Sequence, residues 1–88
     1  MGKVNIRYKF IPPRKEGFKP AIQFFIGTKN FFLTLDHYEE NIIVNNRAML
    51  LEYRYQIVGL QEEIIEKNKD YRVQIIKIMS LIREYNSL

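Results

Sequence analysis

The stretch AIQFFIGTKNFFLTL, residues 21–35, decides the fold. Two apolar runs rich in aromatic and branched residues, Ala21 to Ile26 and Phe31 to Leu35, flank Gly27-Thr28-Lys29-Asn30, where glycine and asparagine favour a turn. Setting Ile26 opposite Phe31 places Phe24 opposite Leu33 and Ile22 opposite Leu35, an all-apolar face. The same register sets Phe25 opposite Phe32 and Gln23 opposite Thr34 on the reverse face. One register serves both faces, and a slip by one residue would turn every side chain over. The stretch reads as an antiparallel hairpin.

Working outward, Lys3 to Phe10 alternates strictly. Val4, Ile6, Tyr8 and Phe10 fall on one side, and Lys3, Asn5, Arg7 and Lys9 on the other, as in a half-buried strand. Pro12 and Pro13 end it, because neither can donate to a ladder. A three-stranded antiparallel sheet with one apolar and one basic, polar face is therefore expected. Asp36-His37-Tyr38-Glu39 has the spacing of a helix start and points to a short turn after the third strand. Ile42-Ile43-Val44 fits either an extended connector or an early helical segment.

The apolar period then changes from two to about 3.6. Asn45 or Asn46 can cap a helix running to about Lys67, with a stripe of Leu50, Tyr53, Ile57, Leu60 and Ile64. Leu51, Val58 and Ile65 flank that stripe, a width that suits a helix covering a sheet. Gly59 costs such a helix about 1 kcal/mol against alanine, so a close approach is expected there. Asn68-Lys69-Asp70 marks a break, with Asn68 suited to a left-handed cap and Asp70 to a restart. Ile75, Ile78, Met79, Ile82 and Tyr85 form the stripe of a second, shorter helix. The fold class is α+β: a three-stranded antiparallel sheet packed on a long C-terminal helix, followed by a shorter one. Residues 1–88 make one domain, sheet in 3–35 and helices in 45–87, expected to be excised from a longer protein.

Charge is divided along the chain. Residues 1–35 hold seven Lys and Arg against Glu16 alone, a balance of +6, whereas residues 36–88 hold seven basic and nine acidic groups, −2; together they give the net +4. Such asymmetry points to a polyanion on one face. Lysines and arginines on edge strands and loops also serve simply to block aggregation, and both readings are open.

Catalytic signatures are sparse. With His37 the only histidine and no cysteine, no histidine pair or thiolate set can hold a metal. Asp36-His37 with Glu39 and Glu40 reads as a cap and solvated turn. Ser80 and Ser87 have no basic partner nearby in sequence, and no glycine loop cradles a phosphate. No catalytic residue, metal, cofactor or small-molecule substrate is expected. No membrane span is expected either, for want of a run of about 18 apolar residues. A cytoplasmic location fits the absence of cysteine and of a signal peptide.

The polar face is richer. Asn5, Arg7 and Lys9 project from the first strand, Gln23 and Phe25 from the second, and Phe32 and Thr34 from the third; Thr28, Lys29 and Asn30 crown the hairpin. These residue types pair with base edges or hold phosphates, and β-strands can enter a major groove. Arg14, Lys15 and Lys19, in the loop after the first strand, are placed to clamp flanking phosphates. Phe25 and Phe32 need a cover: thymine methyls, the stems of Arg7 and Lys9, or a neighbouring domain. The competing reading is a protein-interaction or oligomerisation module that uses Phe25/Phe32 or the extra apolar helix column.

The pattern resembles the N-terminal arm-type DNA-binding domain of phage-integrase-like tyrosine recombinases, in the form found in Bacteroidetes mobile elements. The stretches that carry the likeness are Lys3-Val4-Asn5-Ile6-Arg7-Tyr8, then GFKPAIQFFI at 17–26, Gly27-Thr28-Lys29-Asn30-Phe31, and the helical part from Asn46. Members usually carry Thr-Gly and then tryptophan after the third strand. Here Leu33-Thr34-Leu35-Asp36-His37-Tyr38 stands in that place, with Tyr38 as the available aromatic. The resemblance implies sequence-specific binding of double-stranded DNA by the sheet, as the arm-binding module of a site-specific integrase. It also implies partners among other domains or protomers of a parent recombinase, and catalysis in a separate domain.

Overall fold

In the computed structural model, which describes residues 5–85, alternation becomes a meander. The strands are β1 (Ile6–Ile11), β2 (Ala21–Ile26), β3 (Lys29–Leu35) and β4 (Ile42–Val44), in sheet order β1-β2-β3-β4 and all antiparallel. The helical layer follows as α1 (Arg47–Val58), α2 (Gln61–Lys67), a 3₁₀ turn at Lys69–Tyr71, and α3 (Arg72–Arg83). The α+β antiparallel class holds, with four strands in place of three and three helices in place of two. Lys3 and Val4, expected to open the first strand, lie outside the described residues; Ile11 joins β1 because it still pairs with Ala21 before Pro12 ends the ladder.

The hairpin closes more tightly than expected. Ile22 pairs with Leu33, Gln23 with Phe32, Phe24 with Phe31, Phe25 with Asn30 and Ile26 with Lys29. The register is therefore displaced by two residues from the one that sets Ile26 against Phe31. Gly27 causes this: at φ 63° it takes the first central position of a two-residue turn, the place where type II′ hairpins need glycine. Lys29 and Asn30 thereby become strand residues. A two-residue displacement preserves both faces.

Ile42-Ile43-Val44 is extended, because pairing Leu35 with Ile42 and Leu33 with Val44 continues the apolar face. Asp36 shapes the preceding turn without starting a helix. One carboxylate oxygen accepts from the Tyr38 and Glu40 N–H groups at 3.1 and 2.9 Å, the other from the Asn41 amide at 3.1 Å. Burial acts to raise the Asp36 pKa, but these hydrogen bonds together hold it below the ordinary value.

Of the two candidate caps, Asn46 takes the role, its Oδ1 accepting from Met49 N–H at 3.2 Å. The expected single helix to Lys67 divides at Gly59-Leu60. A Cβ on Gly59 would lie 3.3 Å from the Gln56 carbonyl oxygen, so its tight neighbour is its own helix and not another element. Asn68 ends α2 at φ −139°, not in the left-handed region, and its side-chain amide donates to the Ile64 carbonyl. Asp70 lies within the 3₁₀ turn, and α3 begins after Tyr71 without a side-chain cap.

The core lies between one sheet face and the helices. Ile22, Phe24, Phe31, Leu33, Leu50, Ile57, Ile64, Ile75, Ile78, Met79 and Ile82 are fully buried, and no polar side chain is buried among the described residues. Phe24 and Phe31 stack across the β2–β3 pair at 5.5 Å. α3 packs on α1, α2 and β3, so the column Leu51, Val58 and Ile65 is half-buried to buried within this fold. That accounts for the apolar surplus beside the main stripe.

Candidate nucleic-acid interface

Because side chains alternate, the face turned away from the helices carries three cross-strand rows. They are Arg7–Phe25–Asn30, Lys9–Gln23–Phe32, and Ile11–Ala21–Thr34–Ile43. The first row starts with Arg7, whose guanidinium lies 5.8 Å from the centre of the Phe25 ring. A cation over a ring face is attractive, and the arginine also covers half-buried Phe25. Arg7 thus meets one ring of the aromatic pair through its guanidinium rather than through the anticipated stem. Phe32 sits diagonally from Phe25 and not opposite it, a consequence of the tighter turn. It is 36% exposed, and its N–H donates to Asn45 Oδ1 at 2.9 Å.

Gln23 Nε2 donates to Asn30 Oδ1 at 3.2 Å, joining β2 and β3 on this face. Thr34 is on the same face, but its hydroxyl donates to the Pro20 carbonyl at 2.7 Å and ties the β1–β2 loop to the sheet. Among the described residues no carboxylate occupies any position of the three rows. Glu52 belongs to α1, Glu62, Glu63 and Glu66 to α2, and Glu84 follows α3.

The remaining candidates are scattered. Arg14 and Lys15 are exposed in the β1–β2 loop, with the Lys15 ammonium 5.1 Å from the Phe18 ring centre. Lys19 is bound to Glu39 at 2.6 Å, so its charge is met within the protein. Direct hydrogen bonding and the charge of Lys19 hold the Glu39 carboxyl below its ordinary range. Lys29 falls by alternation on the helix side of the sheet; with Thr28 it borders a shallow depression lined also by Ile26, Met49, Glu52 and Tyr53. Asn5 precedes β1 and lines a depression with Tyr55, Gln56, Gly59 and Glu63. Lys3 lies outside the described residues. The open face thus gathers Arg7, Lys9, Gln23 and Asn30, with Thr34 at its far end.

Two features escape the sequence reading. Ile43, 48% exposed, extends the open face through β4; three consecutive apolar residues show no alternation, so no local signal placed it there. Tyr8 donates to Glu63 Oε2 at 2.8 Å and lies 5.6 Å below the Lys67 ammonium, pinning β1 to α2. Burial and then the Glu63 contact raise the Tyr8 pKa, while the Tyr8 hydrogen bond lowers that of Glu63. Both ends of this contact are 55 residues apart, so no local pattern announces it.

Among the described residues no three His, Cys, Asp or Glu side chains gather as a metal site, and no helix is long and apolar enough to cross a membrane. Asp36 is engaged by its turn, and exposed His37 meets the Tyr38 ring edge-on at 4.9 Å. Comparison with protein-family models, curated proteins and solved structures finds no match.

Proposed function

We propose that this domain binds double-stranded DNA through the open face of its sheet. Gln23 and Asn30 approach base edges in the major groove, while Arg7, Lys9, Arg14 and Lys15 engage phosphates. The observation that carries this reading is the composition of the open face: Arg7 and Lys9 stand beside the amides of Gln23 and Asn30, and among the described residues its three rows hold no carboxylate. A face with cations and no carboxylate attracts a polyanion. The resemblance to arm-type domains extends the reading to a non-catalytic module of a site-specific recombinase, with strand exchange performed by a separate domain.

The test is titration of a fluorescently labelled duplex at low and at raised salt. Binding that weakens steeply as salt rises is expected, since each neutralised phosphate releases counterions. Undetectable binding at low salt, or binding indifferent to salt, would overturn the proposal.

A second reading has its own observation. Phe32 and Ile43, on adjacent strands of the open face, are exposed together, which favours a protein contact at that corner. Sedimentation over a range of concentrations decides it for self-association: a strict monomer that binds DNA counts against it.

A further inference from the structure

We infer that the Gln23–Asn30 amide pair, flanked by Phe25, is a reader of one A·T base pair; this rests on the proposed DNA-binding reading and adds a base to it. Gln23 Nε2 donates to Asn30 Oδ1, and among the described residues neither Gln23 Oε1 nor Asn30 Nδ2 meets a protein partner. The pair therefore leaves Gln23 Oε1 as an acceptor and Asn30 Nδ2 as a donor without a protein partner, beside the second N–H of Gln23 Nε2. Turning both amides over exchanges the two roles and leaves the same free set.

In the major groove, adenine offers an acceptor at N7 beside a donor at N6, the complement of that set. Guanine presents two acceptors, N7 and O6, and leaves the free amide oxygen facing an acceptor. Across a G·C pair, guanine O6 and cytosine N4–H could also meet one acceptor and one donor. Phe25 discriminates between these cases. It pairs directly with Asn30 and lies two residues from Gln23 on the same face, so an apolar ring edge adjoins the amides. A·T supplies the thymine methyl as an apolar partner, and G·C supplies none. Arg7, its guanidinium 5.8 Å from the Phe25 ring centre, covers the ring on the same face.

The experiment begins with selection by the intact chain from duplexes randomised over roughly one helical turn. A motif containing at least one fixed A·T pair is expected. Within that selected duplex, 7-deazaadenine removes the N7 acceptor and deoxyuridine removes the thymine methyl, while the protein stays untouched. Each change at the read pair is expected to weaken binding about tenfold, within the discrimination a well-placed base contact supplies. Gln23→Ala and Asn30→Ala are expected to abolish the preference at that pair, with the fold of each variant checked by its circular dichroism spectrum.

If the wild-type chain binds random duplex but selects no A·T pair, or if the modified bases and both variants leave the preference intact, the inference is overturned and the DNA-binding proposal stands. If the wild-type chain binds no duplex at low salt, the DNA-binding proposal itself fails and the inference falls with it.

Discussion

Arg7 and Lys19 are equivalent cations in the basic half of the sequence, yet the structure gives them opposite expectations on DNA. Arg7 stands on the open face with no carboxylate beside it, whereas Lys19 is held at 2.6 Å by Glu39. Taking Arg7, Lys9, Arg14 and Lys15 as the phosphate-neutralising set, the slope of log K against log salt is about −3.6, from roughly −0.9 per cation. Affinity then falls about 150-fold between about 50 and about 200 mM salt. Arg7→Ala removes one cation, bringing the slope to about −2.7 and the loss over the same range to about 40-fold. Lys19→Ala leaves the slope near −3.6, because the charge it removes is already met inside the protein. Fluorescence anisotropy of one labelled duplex at four salt concentrations measures all three slopes. Equal reductions for Arg7→Ala and Lys19→Ala would refute the distinction drawn from the ion pair, and an unchanged slope for Arg7→Ala would remove that residue from the interface.

Three further outcomes follow from the fold. Phe31→Ala, at a fully buried ring stacked on Phe24, should cost about 3–5 kcal/mol in urea unfolding, a large share of the stability of any small domain; a loss under about 1 kcal/mol would contradict the core assignment. Asn46→Ala removes the cap on Met49 N–H and should cost about 0.5–2 kcal/mol, whereas Asn45→Ala leaves α1 capped and instead frees the Phe32 N–H. The Lys19–Glu39 pair contributes stability above the ordinary glutamate value of 4.5, because the folded-state pKa of Glu39 is depressed; that contribution is lost as pH falls from there through the depressed value. Thermal midpoints against pH should show Glu39→Gln with a shallower acid decline than wild type, and identical declines would dismiss the pair as a stabilising contact.

The sheet was legible because its signals are local. Alternation in residues 6–10 and 21–35 assigns each side chain to a face, and faces survive a two-residue change in register. The register itself was not legible, since it depends on whether Gly27 takes positive φ in a two-residue turn or shares a longer loop. β4 was ambiguous because three apolar residues fit a strand or a helix equally well until Leu33 and Leu35 present a partner edge. The helical layer divided where Gly59 weakens the helix, which composition signalled as a cost but not as a boundary. Among the candidate contacts, position along the chain could not separate engaged from free groups. Lys19 meets Glu39 and Thr34 meets Pro20 through tertiary contacts, and Lys29 fell on the helix side once it became a strand residue and not part of the turn. Arg7, Lys9 and Gln23 kept their places because strict alternation alone put them there.

The central claim concerns a face, so the most direct measurement maps which face DNA touches. Backbone and side-chain NMR resonances of the intact chain, followed during titration with the selected duplex, provide that map. The expected result is that Arg7, Lys9, the Gln23 and Asn30 side-chain amides, Phe25 and Phe32 shift together, while exposed Val73 and Lys77 on α3 stay in place. Shifts centred on α2 and α3 with the open face silent would contradict the account.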